Sequence, residues 1–198
     1  MEAKIFDIVE QFNRAAGLIT EEAEKLKLAA LNLRAGKKAR ASNAYQTAVR
    51  CFETGRRLLP EDAWEEQYDL MFAFHRWGGE AECLTGNYEP ANTLLDLALA
   101  HVRSTPDKAT IYKLKFVTLN NQARYLEGAY LVIKVLNTLF GFDMPFPDQP
   151  ERIQEATAAE IARYEEYRRT HQLEDLRNLP PVEDETIKAC FEMMGVLG

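Results

Sequence analysis

The stretch Glu82–Pro106, ECLTGNYEPANTLLDLALAHVRSTP, constrains the fold more than any other part of the chain. Gly86 and Asn87 tolerate the positive φ that a sharp turn between two helices needs. Pro90 falls in the first turn of the following helix, where its missing N–H costs nothing, and Glu89 suits the positive end of that helix. Ala91, Leu94, Leu95, Ala98 and Val102 then form an apolar stripe at steps of three and four residues, up to a stop before Pro106. The small Ala91 and Ala98 let a neighbouring helix approach closely. The larger residues of the stripe fill the space between. One helical hairpin is therefore written into 25 residues.

Two other stretches read as blurred copies. Ala48, Phe52 and Gly55 repeat the spacing of Ala91, Leu95 and Ala98, and Pro60 punctuates that helix as Pro106 does the later one. A turn near Leu126-Glu127-Gly128 leads into a third copy with Ala129, Ile133, Leu136 and then Gly141. The copies begin at Ala48, Ala91 and Ala129, 43 and 38 residues apart, a period expected of a helical solenoid with two helices per unit.

The remaining helices follow from periodicity and caps. A helix over 3–18 carries Ile5, Ile8, Val9, Phe12, Ala15 and Ala16 on one stripe. Thr20 is expected to cap a second helix running to about Arg40, and Ser42 or Asn43 a third ending at Leu59. From Asp62 a long helix sets Trp64, Tyr68, Met71, Phe72, His75 and Gly79 on its apolar face. After Pro106-Asp107 another carries Ile111, Leu114, Val117 and Ala123.

Residues 1–142 are thus expected to form an array of about seven helices. Residues 143–198 add a proline-rich connector, DMPFPDQP, that anchors Met144 and Phe146, and two further helices packing on the array. The first of these, roughly 151–170, places Ile153, Thr157, Ile161 and Tyr164 on its inner side. Leu173–Pro181 is a second connector. The last, Asp184–Leu197, gathers Ile187, Cys190, Phe191, Met194 and Leu197 on an apolar face that reaches the end of the chain with little left to cover it. The expectation is a fragment of a longer protein.

Charge and chemistry narrow the function. A net charge of −7 argues against nucleic acid as the main partner, since phosphate binding needs a concentrated basic face. The charge is uneven: residues 1–60 hold 11 Lys and Arg against 7 Asp and Glu, whereas 61–198 hold 13 against 24, and these read as solvated faces. Cys51, Cys83 and Cys190 stand far apart with no C-x-x-C pair, as small apolar residues of a reducing cytoplasm. No apolar run is long enough for a membrane span and no leader pattern opens the chain. Phosphate-binding glycine motifs and H-E-x-x-H are absent, and His75, His101 and His171 are too scattered to share a metal. His75 reads as a core or groove histidine. Neither catalysis nor a cofactor is expected of these residues.

Five segments carry a resemblance: IFDIVEQFNR at 5–14, LNLRAGKKARASNAY at 31–45, RLLPEDAWEEQY at 57–68, LTGNYE at 84–89 and LEDLRNLP at 173–180. With them the chain resembles the tetratricopeptide-type helical region of large bacterial multi-sensor signal-transduction kinases. There the repeats lie between a serine/threonine kinase-like domain with a STAND-type ATPase and a GAF sensor with a histidine kinase output.

The resemblance implies an all-α fold of stacked antiparallel hairpins in a tetratricopeptide-like right-handed superhelix. It implies a cytoplasmic, non-catalytic scaffold for protein–protein or interdomain contact, within a parent that is itself an ATP-dependent kinase. The alternative is an inducer-sensing arm of a STAND ATPase-type transcription regulator. Expected partners are other domains of the parent chain or a protein or peptide, with a homodimer left open, and neither nucleic acid nor membrane insertion. Repeats of this kind bind along the concave face made by the first helix of each pair. Spacing from the turns puts Lys37, Arg40, Arg76, Glu80, Asn121 and Gln122 on that face.

Overall fold

The computed structural model describes residues 5–60, 62–172 and 179–196. Among these the chain is all-α, with ten helices and no strand: α1 (Ile5–Arg14), α2 (Glu22–Ala41), α3 (Tyr45–Arg57), α4 (Ala63–Glu66), α5 (Tyr68–Leu84), α6 (Tyr88–His101), α7 (Thr105–Asn121), α8 (Tyr125–Phe140), α9 (Pro150–Thr170) and α10 (Glu185–Met194). It divides into two compact units that meet in sequence between Val102 and Arg103.

Three turns share one construction. In each, a residue in the left-handed region follows a helix: Asn43 at φ 60°, Gly86 at φ 82° and Ala123 at φ 58°. The next residue's N–H then reaches back to a carbonyl five residues earlier: Ala44 to Ala39 at 2.8 Å, Asn87 to Glu82 at 2.9 Å, Arg124 to Leu119 at 3.0 Å. This bond answers a carbonyl that the helix end leaves without an intrahelical donor. A tyrosine opens the following helix every time: Tyr45, Tyr88 and Tyr125. The hairpins are α2–α3, α5–α6 and α7–α8.

In the third copy Ile133 and Leu136 are buried as expected, whereas the turn comes four residues earlier and the small buried residue one residue earlier. The turn lies at Gln122–Arg124, and Leu126–Gly128 belongs to the first turn of α8. Gly128 is buried and Ala129 only half-buried, so Gly128 stands to Tyr125 as Ala91 stands to Tyr88 and Ala48 to Tyr45. The reason is steric: a Cβ at Gly128 would lie 3.2 Å from the Phe116 ring, so the close approach falls there. Ala123 occupies a conformation that costs an L-residue about 1 kcal/mol. Ala123→Gly is therefore expected to raise the denaturation midpoint, by about 0.5–1 kcal/mol of stability in urea unfolding.

Several expected boundaries move. The first helix stops at Arg14, and a 3-10 turn over Ala16–Leu18 follows; Phe12 is half exposed and Val9 alone of α1 is buried. Glu21, not Thr20, precedes α2, and Ala44, not Ser42 or Asn43, precedes α3, neither with a side-chain cap. Asn43 is consumed by the turn itself. The long helix expected from Asp62 breaks at Gln67 (φ −125°, ψ 41°) into α4 and α5. Its buried centre is Phe74, His75, Gly78 and Gly79, while Trp64 and Tyr68 are half-buried in a tilted ring contact with each other. Ser104 caps α7 by accepting from the Asp107 N–H at 3.1 Å.

Within the first unit, the core forms where a small residue on one helix admits a bulky side chain from another. A Cβ at Gly36 would sit 2.4 Å from Phe52, one at Gly55 2.4 Å from Phe74, and one at Gly79 2.8 Å from Leu95. Ala29, Ala39, Ala48, Phe52, Phe74 and Ala81 share this core. Ala91, Leu95 and Ala98 are fully buried in α6 as their stripe requires. A reciprocal pair of amides ties α1 to α2: Asn13 Nδ2 donates to Asn32 Oδ1 at 2.9 Å and Asn32 Nδ2 to Asn13 Oδ1 at 2.8 Å.

In the second unit, α10 packs on α7 and α8. Met193 is buried, with Ala189 and, as expected, Cys190 beside it, whereas Ile187, Phe191 and Met194 of the expected face lie on the exposed side. Leu197 and Leu173–Asn178 lie outside the described residues. The connector is ordered as expected: Asn137 Nδ2 donates to the Met144 carbonyl and the Met144 N–H to Asn137 Oδ1, both at 2.9 Å, and Phe146 stacks on Tyr130. No residue of α9 is buried. Ile153, Thr157, Ile161 and Tyr164 line an open hollow with Phe142, Met144 and Pro145 instead of facing a core.

Candidate functional site

Three of the six predicted contact residues, Lys37, Arg40 and Arg76, converge on a tryptophan, and a fourth, Glu80, pairs with Arg40. Lys37 and Arg40 sit in the last turns of α2, where cations suit the helix's negative end. Arg76, Trp77 and Glu80 sit on α5, which packs against α2. Lys37 Nζ lies 5.3 Å from the Trp77 ring centroid, Arg40 Cζ 5.2 Å and Arg76 Cζ 4.7 Å. Each lies within the range of cation–π attraction, about 0.5–1 kcal/mol at an open site and more where water is excluded. The indole is held by the core cluster around Phe52 and Phe74, so the platform is rigid from below.

The electrostatics are unbalanced. Arg40 pairs with Glu80, whose side chain is only 18% exposed. Lys37 and Arg76 have no carboxylate partner among the described residues, although the chain as a whole carries −7. Arg40 Nε is buried with no hydrogen-bond acceptor, and a buried donor left unmade costs about 1–3 kcal/mol. The cluster offers positive charge and an indole to whatever approaches it, while the unmet Arg40 N–H lies beneath its surface. None of its side chains is a nucleophile with an adjacent base.

Asn121 and Gln122 are not part of this cluster. They stand at the end of α7 in the second unit, where Gln122 Nε2 donates to the Thr118 carbonyl at 2.9 Å and its Oε1 accepts from Arg124 at 3.4 Å. Both are spent on, or beside, the turn that closes α7–α8.

Trp77 itself was not among the expected contact residues. The expected apolar face of its helix ran through Trp64, Tyr68 and His75, and the only sequence signal for Trp77 was its place next to Arg76 and three residues before Glu80. Which cations reach it depends on the α2–α5 packing.

His75, by contrast, is buried as the sequence suggested, at 2% exposure. Its Nδ1–H donates to the Met71 carbonyl at 2.8 Å, and its ring packs on Trp64, against which His101 also stacks at 4.5 Å. Burial lowers its pKa to about 4, with Arg56 and His101 adding repulsion and the Met71 bond opposing. Among the described residues no group of three His, Cys, Asp or Glu side chains converges in a way that could hold a metal ion. The three cysteines are free thiols; burial pushes those of Cys51 and Cys190 up. No described helix is long and apolar enough to cross a membrane.

Comparison with known proteins gives one lead. No family model matches the chain, and no solved structure matches it. The chain is similar to hybrid signal transduction histidine kinase G of Dictyostelium discoideum, 32% identical over 108 residues. That stretch is 50% of this chain and 3% of the kinase, so the chain spans a small part of the protein it matches. The likeness relates this helical chain to a signal-transduction protein over half its length.

Proposed function

We propose that the chain is a non-catalytic helical-repeat scaffold of tetratricopeptide-like build, making protein–protein or interdomain contacts within a signal-transduction kinase. The observation that carries this reading is the Trp77 platform, with two cations that have no carboxylate partner among the described residues. The three matching hairpin turns and the likeness to a histidine kinase support it. On this reading the contact face is centred on α2 and α5, and the partner is a neighbouring domain of the parent chain.

Charge reversal tests it. Lys37→Glu with Arg76→Glu leaves the Arg40–Glu80 pair in place and turns the open cations into anions. Capture of the parent's kinase and sensor domains is expected to weaken at least about tenfold, as like charges replace complementary ones. Capture unchanged by the double substitution, in a chain with an unaltered helical spectrum, would remove this face from the contact.

A further inference from the structure

A second feature of the first unit is independent of the Trp77 face. Between α3, α5 and α6 lies a hollow of about 270 Å³. Phe52 and Phe74, both buried, form part of its lining with Val49, Pro90 and Leu94, so the lining is mainly apolar. Gly78 keeps it open. A Cβ there would meet Leu94 at 3.3 Å and Phe52 at 3.8 Å, so any larger side chain would have to enter the space or displace Leu94.

Three charged groups border the hollow: Glu53, Arg56 and Glu82. Both carboxylates are engaged elsewhere. Glu53 pairs with Arg57 one turn on, and Glu82 Oε2 accepts from Asn87 Nδ2 at 2.8 Å across the hairpin turn. Arg56 has neither an ion pair nor a hydrogen bond among the described residues, although it is half-buried. An apolar slot with one uncommitted guanidinium matches a ligand with an apolar body and a single anionic head. The volume lies just below the usual range for drug-sized ligands, about 300–1,000 Å³, which limits the body to roughly one ring. The two carboxylates disfavour a second negative charge on the ligand.

We propose that this hollow binds a small amphiphilic monocarboxylate, an aromatic or branched acid of one-ring size, with its carboxylate on Arg56 and its body against Phe52 and Phe74. Calorimetric titration of the whole chain tests this with 3-phenylpropionate, indole-3-acetate and 4-methylpentanoate, and with 3-phenylpropionamide as the uncharged match. At least one acid is expected to bind saturably with Kd below about 1 mM, and the amide at least tenfold more weakly than its acid.

Arg56→Gln should lower the acid's affinity at least about tenfold and erase the preference over the amide, a loss typical of one charge-assisted hydrogen-bonded pair. Gly78→Val should block acid and amide alike. If that variant fails to fold, as its circular dichroism would show, Arg56→Gln decides alone. Absence of saturable binding for all three acids, equal binding of acid and amide, or indifference to Arg56→Gln would each overturn the proposal. No partner protein enters the titration, so its failure leaves the interdomain reading standing, and the reverse also holds.

Discussion

Replacing Phe52 by alanine is expected to destabilise the first unit by about 3–5 kcal/mol, the cost of removing a buried aromatic ring and leaving the cavity. Phe52 is 2% exposed and lies against the backbone of α2 at Gly36. The companion substitution is more diagnostic. Gly36→Ala would place a Cβ 2.4 Å from the Phe52 ring, closer than atoms tolerate, and should cost about 1–3 kcal/mol by overpacking. In the Phe52→Ala background the obstacle is gone. Gly36→Ala should there be neutral or stabilise by up to about 1 kcal/mol, because alanine is the better helix former. Urea unfolding of the two single variants and the double variant gives the coupling. Additive costs would show that ring and glycine do not define each other's place.

The second large effect is on pH. His75 titrates near 6.5 when unfolded but stays neutral in the fold until about pH 4. Between those values the unfolded chain holds more protons, so stability rises with pH across the window. The contribution is complete above about pH 6.5 and is lost as pH falls to 4, by up to about 3 kcal/mol from the shift in that one group. His75→Leu should flatten the slope between pH 6.5 and 5 whatever it does to stability at pH 7. The comparison is of unfolding midpoints at matched pH for the two proteins. A slope retained in the variant would assign the pH dependence to other groups.

Both predictions turn on residues whose type was legible and whose neighbours were not. The apolar stripe Ala48–Phe52–Gly55 marks a buried helix face from spacing alone, and α3 buries all three. Nothing in the spacing says that Phe52 lies over Gly36, or that Gly55 admits Phe74, since these pairs join helices through their packing. The same limit explains the slip in the third copy. Ala129 and Gly128 are both small and adjacent, and only the nearby Phe116 ring decides which one faces inward.

The outer helices were misread for a related reason. Of the expected α10 face, Cys190 packs with Met193 and Ala189 against α7 and α8, whereas Ile187, Phe191 and Met194 are exposed. A helix offers more than one apolar stripe, and the shape of the surface it meets selects among them. In α9 the helical period was legible but its buried face was not, because no described residue there is buried. Lys37, Arg40, Arg76 and Glu80 were legible as neighbours by counting from turns, since turns set the phase of each helix. Trp77 and the Arg56 hollow were not, because both depend on which helices become neighbours.

The hairpin at Glu82–Pro106 shows where the division falls. Gly86-Asn87, Pro90 and the Ala91–Leu95–Ala98 stripe are local instructions, and the chain obeys them: a left-handed residue ends α5, a helix begins at Tyr88, and three of its residues are fully buried. Local rules suffice there because turn geometry and helix periodicity are set by residues within one or two turns of each other. What the hairpin meets was decided by tertiary packing: Leu95 over Gly79, Gly78 open beneath Leu94, and Asn87 occupying Glu82 while Arg56 stays uncommitted. Those contacts depend on the volumes of side chains brought together from distant parts of the chain, and periodicity along one helix carries no record of them.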